Sequence, residues 1–367
     1  MTMKRKKIII SGGGTAGHIH PALAVGKKLK EKYPECSLTF VGSTRHLEKR
    51  IMAQYKAHFI PLHIGGIKGR GIKIFKSLLL LPLSFLKSLM ILIREKPDLV
   101  IGVGGYSSGP IVLLASWLRI PTLIMEQNVL PGLTNRLLRR WVKKAVVSFE
   151  QSLPHFKGKG IFIGNPVREE FYNLTAKERN GWLSLLIFGG SQGSHFLNEA
   201  IVKALPLLKV KKEDLKIFHQ TGERDCHWVE GTYRKQGFSE AIVAPYFEEM
   251  ARYFQKSDLI ISRAGASTIA ELIASQKASL LVPFSQAADN HQLLNARELE
   301  RVKGAEVITE EDFSPEVISE KISEYSQNKQ KITEMEKNLA ALKIKDVADR
   351  IADLCFTLME KGKQEVF

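Results

Sequence analysis

Short apolar runs recur along the chain, each ending in small or glycine residues and then giving way to apolar positions at helical spacing. Two periodicities in alternation predict parallel strands joined by crossover helices, the pattern of an α/β protein. In the first half the runs fall at residues 7–11, 37–41, 99–103, 122–126 and 145–148, with a helical pattern over 21–32 after the first. The second half begins afresh with a run at 183–188 and continues at 216–220, 241–244, 259–262 and 279–282. From Thr333 onward the tail reads as charged helix.

The restart repeats a motif as well as a rhythm. "GGTAG" at 13–17 follows the first run, "GGSQG" at 189–193 follows the run at 183–188, and each leads into a helical pattern. The fold class expected is α/β, with two Rossmann-like domains facing across a cleft onto which the strand ends open. "IGNPVR" at 163–168 brings Gly, Asn and Pro together as a hinge. The division expected is a domain over 1–165, a second over 166–340 and a C-terminal helix over 341–367. A chain of 367 residues suits two cores better than one.

Residues 74–93 form the most apolar stretch, about the length that spans a bilayer. Lys76, Pro82 and Lys87 interrupt it. A helical wheel puts Lys73, Lys76, Ser77, Ser84, Lys87, Ser88 and Arg94 on one side and Leu78, Leu81, Phe85, Leu89 and Leu92 on the other. That predicts an amphipathic helix bent at Pro82, either packed on the sheet or touching a bilayer surface with part of its length, and not a span.

Charge sharpens this. The chain carries a formal +16, and no acid occurs between Glu48 and Glu95 while nine Lys and Arg do. A second acid-free cluster holds Arg136, Arg139, Arg140, Lys143 and Lys144. Such a balance points to nucleic acid, anionic lipid or phosphorylated substrates. No nucleic-acid motif or aromatic-interleaved basic platform accompanies it, so nucleic acid is not an expected partner. Cys36, Cys226 and Cys355 have neither disulfide nor metal spacing and suit a reducing compartment. The apolar run behind Lys4 to Lys7 reaches only Ile10, too short for a secretory leader.

Candidate chemistry sits at the ends of the runs. Gly12, Gly14 and Gly17 satisfy the G-x-G-x-x-G spacing of a dinucleotide loop. The ribose-binding acid that should close the second strand is missing: the run ends Val41-Gly42-Ser43, and Glu35 precedes it. An NAD-dependent oxidoreductase thereby loses its main support. "GVGGYSSGP" at 102–110 is a third glycine-rich exit, and small residues let backbone N–H groups approach a ligand. His18 follows Gly17 near a helix start, whose positive end favours the neutral imidazole that a general base requires. A packed or capping histidine is the plainer alternative. "SRAGASTIAE" at 262–271 runs from a strand into a helix start, an anion site suited to a diphosphate. Glu271 is placed to accept hydrogen bonds from a ribose diol, or is simply solvated. Asp289, Asn290, His291 and Gln292, and "MEQN" at 125–128, are polar clusters suited to a hydroxyl-rich ligand. His18 and His20 lie close together, but no D-x-D or H-x-x-x-H accompanies them, so no metal site is expected.

Eight motifs in order carry a resemblance: "GGTAGHIHPALA", "GIKGRG", "GVGGYSSGP", "EQNVLPGLTNR", "GNPVR", "GGSQGSHFLN", "SRAGASTIAE" and "PFSQAADNHQLLNA", from residue 13 to 296. Together they resemble the MurG family of glycosyltransferases. The resemblance implies a GT-B fold with an acceptor site and membrane-facing surface in the first domain, a donor site in the second, and the C-terminal helix packing back on the first. It implies inverting, metal-independent transfer of N-acetylglucosamine from UDP-N-acetylglucosamine to the 4-hydroxyl of the muramyl sugar of lipid I, giving lipid II at the cytoplasmic membrane face. No cofactor is implied, and the partners implied are the two substrates, an anionic membrane surface and other cell-wall synthesis proteins. A same-fold enzyme acting on another lipid acceptor is the nearest alternative.

Position by position, His18 matches the family's general base, with Glu126 a second candidate for the proton. Thr15, Ala16 and Gly17 match the first loop, and Asn128, Arg168 and Ser191 match donor-binding positions. Phe247 falls where the family contacts the uracil region. Ala266, Ser267, Thr268, Ile269, Ala270 and Glu271 match the helix start at the diphosphate and the carboxylate on the ribose, and Gln292 matches a donor-sugar contact. Lys68, Arg70 and Tyr106 fall on the acceptor side. Ala16 and Ala22 replace glycines and Ala264 a serine, all small for small, and His291 stands where some members carry a second glutamine.

Overall fold

The protein, seen in a computed structural model, is described over residues 5–13, 16–44, 46–62, 72–175 and 181–364. It divides into two compact units, one of Met1–Arg168 with Ile344–Phe367 and the other of Glu169–Lys343. The first break falls three residues past the expected 165.

The first unit runs β1 (Lys7–Ser11), α1 (Ala16–Lys32), β2 (Ser37–Ser43), α2 (His46–Gln54), β3 (Phe59–Leu62), α3 (Ile72–Glu95), β4 (Leu99–Gly102), α4 (Ser108–Trp117), β5 (Thr122–Glu126), α5 (Leu133–Leu138), β6 (Lys144–Val147) and β7 (Gly160–Phe162). Its seven strands are all parallel in the order β3-β2-β1-β4-β5-β6-β7. A parallel sheet covered on both faces needs apolar residues at nearly every position of its inner strands. Ile8, Ile9 and Ile10 are each about 1% exposed. Ile8 and Ile10 join a core with Ile19 and Val25 of α1, while Ile9 faces Ile91 and Leu92 of α3 and Ile111 and Val112 of α4.

The second unit repeats the plan with β8 (Leu183–Phe188), α6 (His195–Ala204), β9 (Leu215–Gln220), α7 (Cys226–Lys235), β10 (Ile242–Ala244), α8 (Met250–Lys256), β11 (Leu259–Ser262), α9 (Ala266–Ser275), β12 (Ser279–Leu281), α10 (His291–Arg301), β13 (Ala305–Val307), α11 (Pro315–Gln327) and α12 (Lys329–Ala340). Six parallel strands take the order β10-β9-β8-β11-β12-β13. In each sheet the order reverses beside the unit's first strand, and ligands of such sheets bind outside the strand ends at that point. The last helix, α13 (Val347–Gln364), returns to the first unit and packs on α1, with Ile351, Ala352 and Cys355 fully buried.

The helical wheel drawn for residues 74–93 needs correction over its described part. Ser84 and Ser88, assigned to the polar side, are buried, whereas Leu83, Leu86, Met90 and Ile93 are each more than half exposed. α3 packs against α4. The small serines lie on the buried side of the helix, and the bulky apolar side chains are left outside. Among the described residues no helix is long and apolar enough to cross a membrane.

Candidate active site

In the first unit three strand exits crowd together: Gly12 and Gly13 after β1, Gly42 and Ser43 at the end of β2, and Val103 to Gly105 after β4. A Cβ at Gly12 would stand 2.2 Å from Val103 Cγ2, and one at Gly105 2.5 Å from the Gly13 carbonyl oxygen. Gly104 and Gly105 also hold φ of +92° and +78°, where side chains are strained. The protein's own crowding therefore requires glycine at these positions. His18, the third residue of α1, lays its half-buried ring against Gly104, where a Cβ would stand 2.9 Å from Cδ2 and 3.0 Å from Nε2. Gln127 closes the same spot: its Nε2 donates to the Val103 carbonyl at 3.1 Å and its Oε1 points towards Gly104.

Glu126, at the end of β5, is 2% exposed and fully occupied. Oε1 accepts from the Asn128 backbone N–H at 3.0 Å and from Asn128 Nδ2 at 3.1 Å, and Oε2 from the Gly132 N–H at 3.0 Å and Asn135 Nδ2 at 2.8 Å. Burial pushes this carboxyl up, and the four N–H donors pull it back. The geometry is that of a clasp on the loop from 126 to 135, with Asn128 one of its donors. Tyr106 is half-buried at the entry to α4, its carbonyl accepting from the Gly109 N–H at 3.3 Å. Arg168 lies beside His20, whose pKa is lowered to about 4 by burial and by that guanidinium. Thr15, Lys68 and Arg70 lie outside the described residues, and of Ala16 only its place at the start of α1 is given.

The echo loop of the second unit is held by its own backbone crowding. Gly193, at φ +74°, would place a Cβ 1.9 Å from the Thr221 carbonyl oxygen, and Gly190, at φ +99°, accepts from Gln220 Nε2 at 2.9 Å. Ser191 sits partly exposed in the turn between them. α9 opens behind Gly265, which offers no side-chain cap, and its first turn, with Ala266, Ser267 and Thr268, holds no acid. The helix dipole favours an anion at that end. Ile269 is buried, and Ala270 and Glu271 follow half-buried on the same helix. Gln292, on α10, fixes its Oε1 by accepting from the Phe284 N–H at 3.0 Å, which turns its amide nitrogen away from that bond. Phe247 is 4% exposed and stacked on Tyr253 at 3.8 Å, so its ring is no open platform for a base.

Two residues of this region carried no signal in the chain pattern. Arg263 donates to Ser194 Oγ through Nε and Nη2, to the Val282 carbonyl through Nη1 at 3.1 Å, and pairs with Glu310 at 2.5 Å. Phe196 and Phe284 lie over it at 5.3 and 5.4 Å. One guanidinium thus ties the exits of β8, β11, β12 and β13. The second is Glu48, 1% exposed, whose carboxylate lies against Gly13 and Gly42. Among the described residues no group of three or more His, Cys, Asp or Glu is placed to hold a metal.

The N-terminal domain profile of glycosyltransferase family 28 matches residues 8–147, and the C-terminal domain profile of that family matches 184–351. A UDP-N-acetylglucosamine–N-acetylmuramyl-(pentapeptide) pyrophosphoryl-undecaprenol N-acetylglucosamine transferase from Anaeromyxobacter sp. (strain K) is 40% identical over 359 residues, covering 97% of this chain and 94% of the relative. One of the same description from Syntrophus aciditrophicus (strain SB) is 40% identical over 96% of this chain and 99% of its own. The crystal structure of Acinetobacter baumannii MurG superposes with a TM-score of 0.77 at 29% identity, over 96% of this chain and 99% of that one. The chain belongs to the MurG family. It is a glycosyltransferase, and its two parallel α/β units are those of the GT-B fold. A UDP-glucose:anthocyanidin 3-O-glucosyltransferase in complex with UDP shares that fold alone, at TM-score 0.68 and 12% identity. Membership in the MurG family removes the oxidoreductase alternative.

Proposed function

We propose that this chain transfers N-acetylglucosamine from UDP-N-acetylglucosamine to the 4-hydroxyl of the muramyl sugar of lipid I, with inversion and without a metal. Relatives at 40% identity over nearly the whole chain are named for a transfer of this class. The observation that carries the mechanism is the His18 imidazole held against Gly104 at the strand exits of the first unit. In a single displacement the acceptor hydroxyl gives its proton to His18 as its oxygen bonds the sugar's anomeric carbon. The bond from that carbon to the diphosphate breaks, and its electron pair leaves on UDP. The start of α9, free of acids, and the Gly189 to Ser194 loop suit the charge that develops there. Glu126 does not share the proton in this reading, because four donors already saturate it. It holds the loop that carries Asn128.

An acceptor carried on a polyprenyl lipid calls for work at a membrane surface. Supporting this, Leu83, Leu86, Met90 and Ile93 of α3, Trp117 of α4 and Leu133 and Leu137 of α5 are exposed in the first unit. Exposed Arg140 and Lys143 and the partly exposed Arg136, Arg139 and Lys144 follow in or after α5. We place the enzyme peripherally, on the cytoplasmic face.

The test is transfer from labelled UDP-N-acetylglucosamine to a lipid I analogue, with and without chelator, for wild type and His18→Ala. Wild type should make the inverted product in chelator, and His18→Ala should lose about 10²–10⁴ in kcat with little change in donor KM. Transfer to a different lipid acceptor in preference to lipid I, or a chelator-sensitive rate, would overturn the corresponding part.

A further inference from the structure

Among the described residues, Glu48 is the one buried carboxylate at the strand exits of the first unit to which the mechanism gives no task. It stands in the first turn of α2, and its side chain reaches back to the end of β2. There Oε2 accepts from the Ser43 backbone N–H at 3.0 Å and from Ser43 Oγ at 2.5 Å. A tie from the first turn of α2 to the end of β2 explains these two bonds. It does not explain where the rest of the carboxylate goes. A Cβ at Gly13 would stand 2.1 Å from Oε1 and 2.5 Å from Oε2, and a Cβ at Gly42 would stand 1.8 Å from Oε1. Neither glycine has a positive φ among those that do, so the conformation alone does not demand glycine at either place. The carboxylate itself does, because it fills the volume both side chains would take.

Packing continues from there without a gap. Gly13 presents its carbonyl oxygen to Gly105, whose added Cβ would come within 2.5 Å of it, and the neighbouring Gly104 bears the His18 ring. Burying a carboxylate is costly unless its donors are fixed, so this wedge has one low-energy position. The exits of β1, β2 and β4 close around it.

We propose that Glu48 is a positioning residue for the transfer, a wedge that sets the Gly13 and Gly104 backbone and through it the His18 imidazole. The inference rests on His18 as the base. A misplacement of about 1 Å at a reacting group costs roughly 10²-fold in rate. Glu48→Ala is therefore expected to lower kcat by about 10- to 100-fold while the KM for UDP-N-acetylglucosamine stays within about twofold, since the diphosphate and ribose of that substrate are assigned to the start of α9 and Glu271 in the second unit. Glu48→Gln keeps the shape and an acceptor for Ser43, and should recover most of the loss. Both are assayed well below their melting temperatures, beside His18→Ala. Gly42→Ala, which keeps Glu48 and crowds it, should reproduce the Glu48→Ala kinetics, so the proposal is still tested if Glu48→Ala does not fold.

Wild-type kcat in folded Glu48→Ala or in Gly42→Ala, with only the melting temperature lowered, would overturn the proposal and leave Glu48 a tie between α2 and β2. A rise in donor KM matching the fall in kcat would overturn it too. Wild-type kcat in His18→Ala would instead overturn the base assignment, whatever Glu48 does.

Discussion

Arg263 illustrates how many strand exits one buried side chain can tie together. Its guanidinium is 7–8% exposed, faces Glu310 at 2.5 Å and spends its remaining donors on Ser194 and the carbonyls after β12. Burial raises the Glu310 carboxyl, but the Ser285 hydroxyl and N–H together with Arg263 outweigh it and hold the group below the usual carboxylate range. A carboxyl whose folded pKa lies below its unfolded value adds stability that is complete above the unfolded value and is lost as pH falls through the folded one. Glu310→Gln leaves a buried guanidinium without its counter-charge and is expected to destabilise the second unit by about 3–5 kcal/mol near neutral pH. The gap between wild type and variant should narrow as acid protonates Glu310, measured by urea unfolding across pH 7 to about 3. A gap that stays constant down that range would mean the pair is not what holds the four strand exits. Neither Arg263 nor Glu48 stood out in the chain pattern. Arg263 pairs with Glu310, 47 residues downstream, and Glu48 packs on Gly13, 35 upstream, as well as on nearby Gly42 and Ser43; no local spacing reports the distant contacts. His18, Glu126, Asn128 and the start of α9 were legible because each follows directly on a strand whose apolar run is unmistakable.

At the scale of elements, legibility followed burial. β1, β5, β8 and β11 coincide with the apolar runs, and β5, β8 and β11 are buried along their whole length. β3, β7 and β13 went unread: each is three or four residues at a sheet edge, partly exposed, with one neighbour to pair with. A half-covered strand needs fewer apolar residues, so its run is too short to stand out. α3 was read as a helix with Leu92 inward and Arg94 outward, as found, but polarity alone put Ser84 and Ser88 outward and they are buried. The corrected orientation carries a prediction. Leu83, Leu86, Met90 and Ile93 lie at helical spacing on one exposed stripe, and Trp117 meets Trp141 edge-on at 6.0 Å, both about half exposed. Aromatic side chains with an apolar body and a polar N–H suit a membrane interface, and nearby cations each add about 1 kcal/mol on an anionic surface. Trp117→Ser with Trp141→Ser, and separately Leu86→Glu with Met90→Glu, should release the enzyme from sedimenting phosphatidylglycerol vesicles. Turnover of a water-soluble acceptor analogue should be retained. Vesicle binding that survives both pairs would move the membrane surface elsewhere.

Across the whole molecule the two units differ in how the chain builds them. The second is one continuous stretch, Glu169–Lys343, whereas the first is completed only when Ile344–Phe367 returns to it. α13 is structural, not an appendage: Val347, Ile351, Cys355 and Met359 are at most 3% exposed and share a core with Ile8, Ile10 and Ile19. Fully burying a side chain of the Val, Ile or Met kind stabilises by about 1.5–3 kcal/mol, so losing Val347, Ile351 and Met359 removes roughly 5–9 kcal/mol. A whole domain has only about 5–15 kcal/mol to lose. The Lys32 ammonium bonds Asp353 at 2.8 Å, but this pair is exposed and adds little beside the apolar term. A chain ending at Lys343 should therefore show the second unit melting as in the full protein, with the transition of the first shifted far down or absent by calorimetry. Titration with UDP should still register binding to the truncated chain, while transfer to a lipid acceptor is lost, because His18 and the apolar face of α3 to α5 belong to the unit that no longer closes. An unshifted transition for the first unit would show that its two sheet-covering layers hold without α13, and that the buried face of α1 finds another cover.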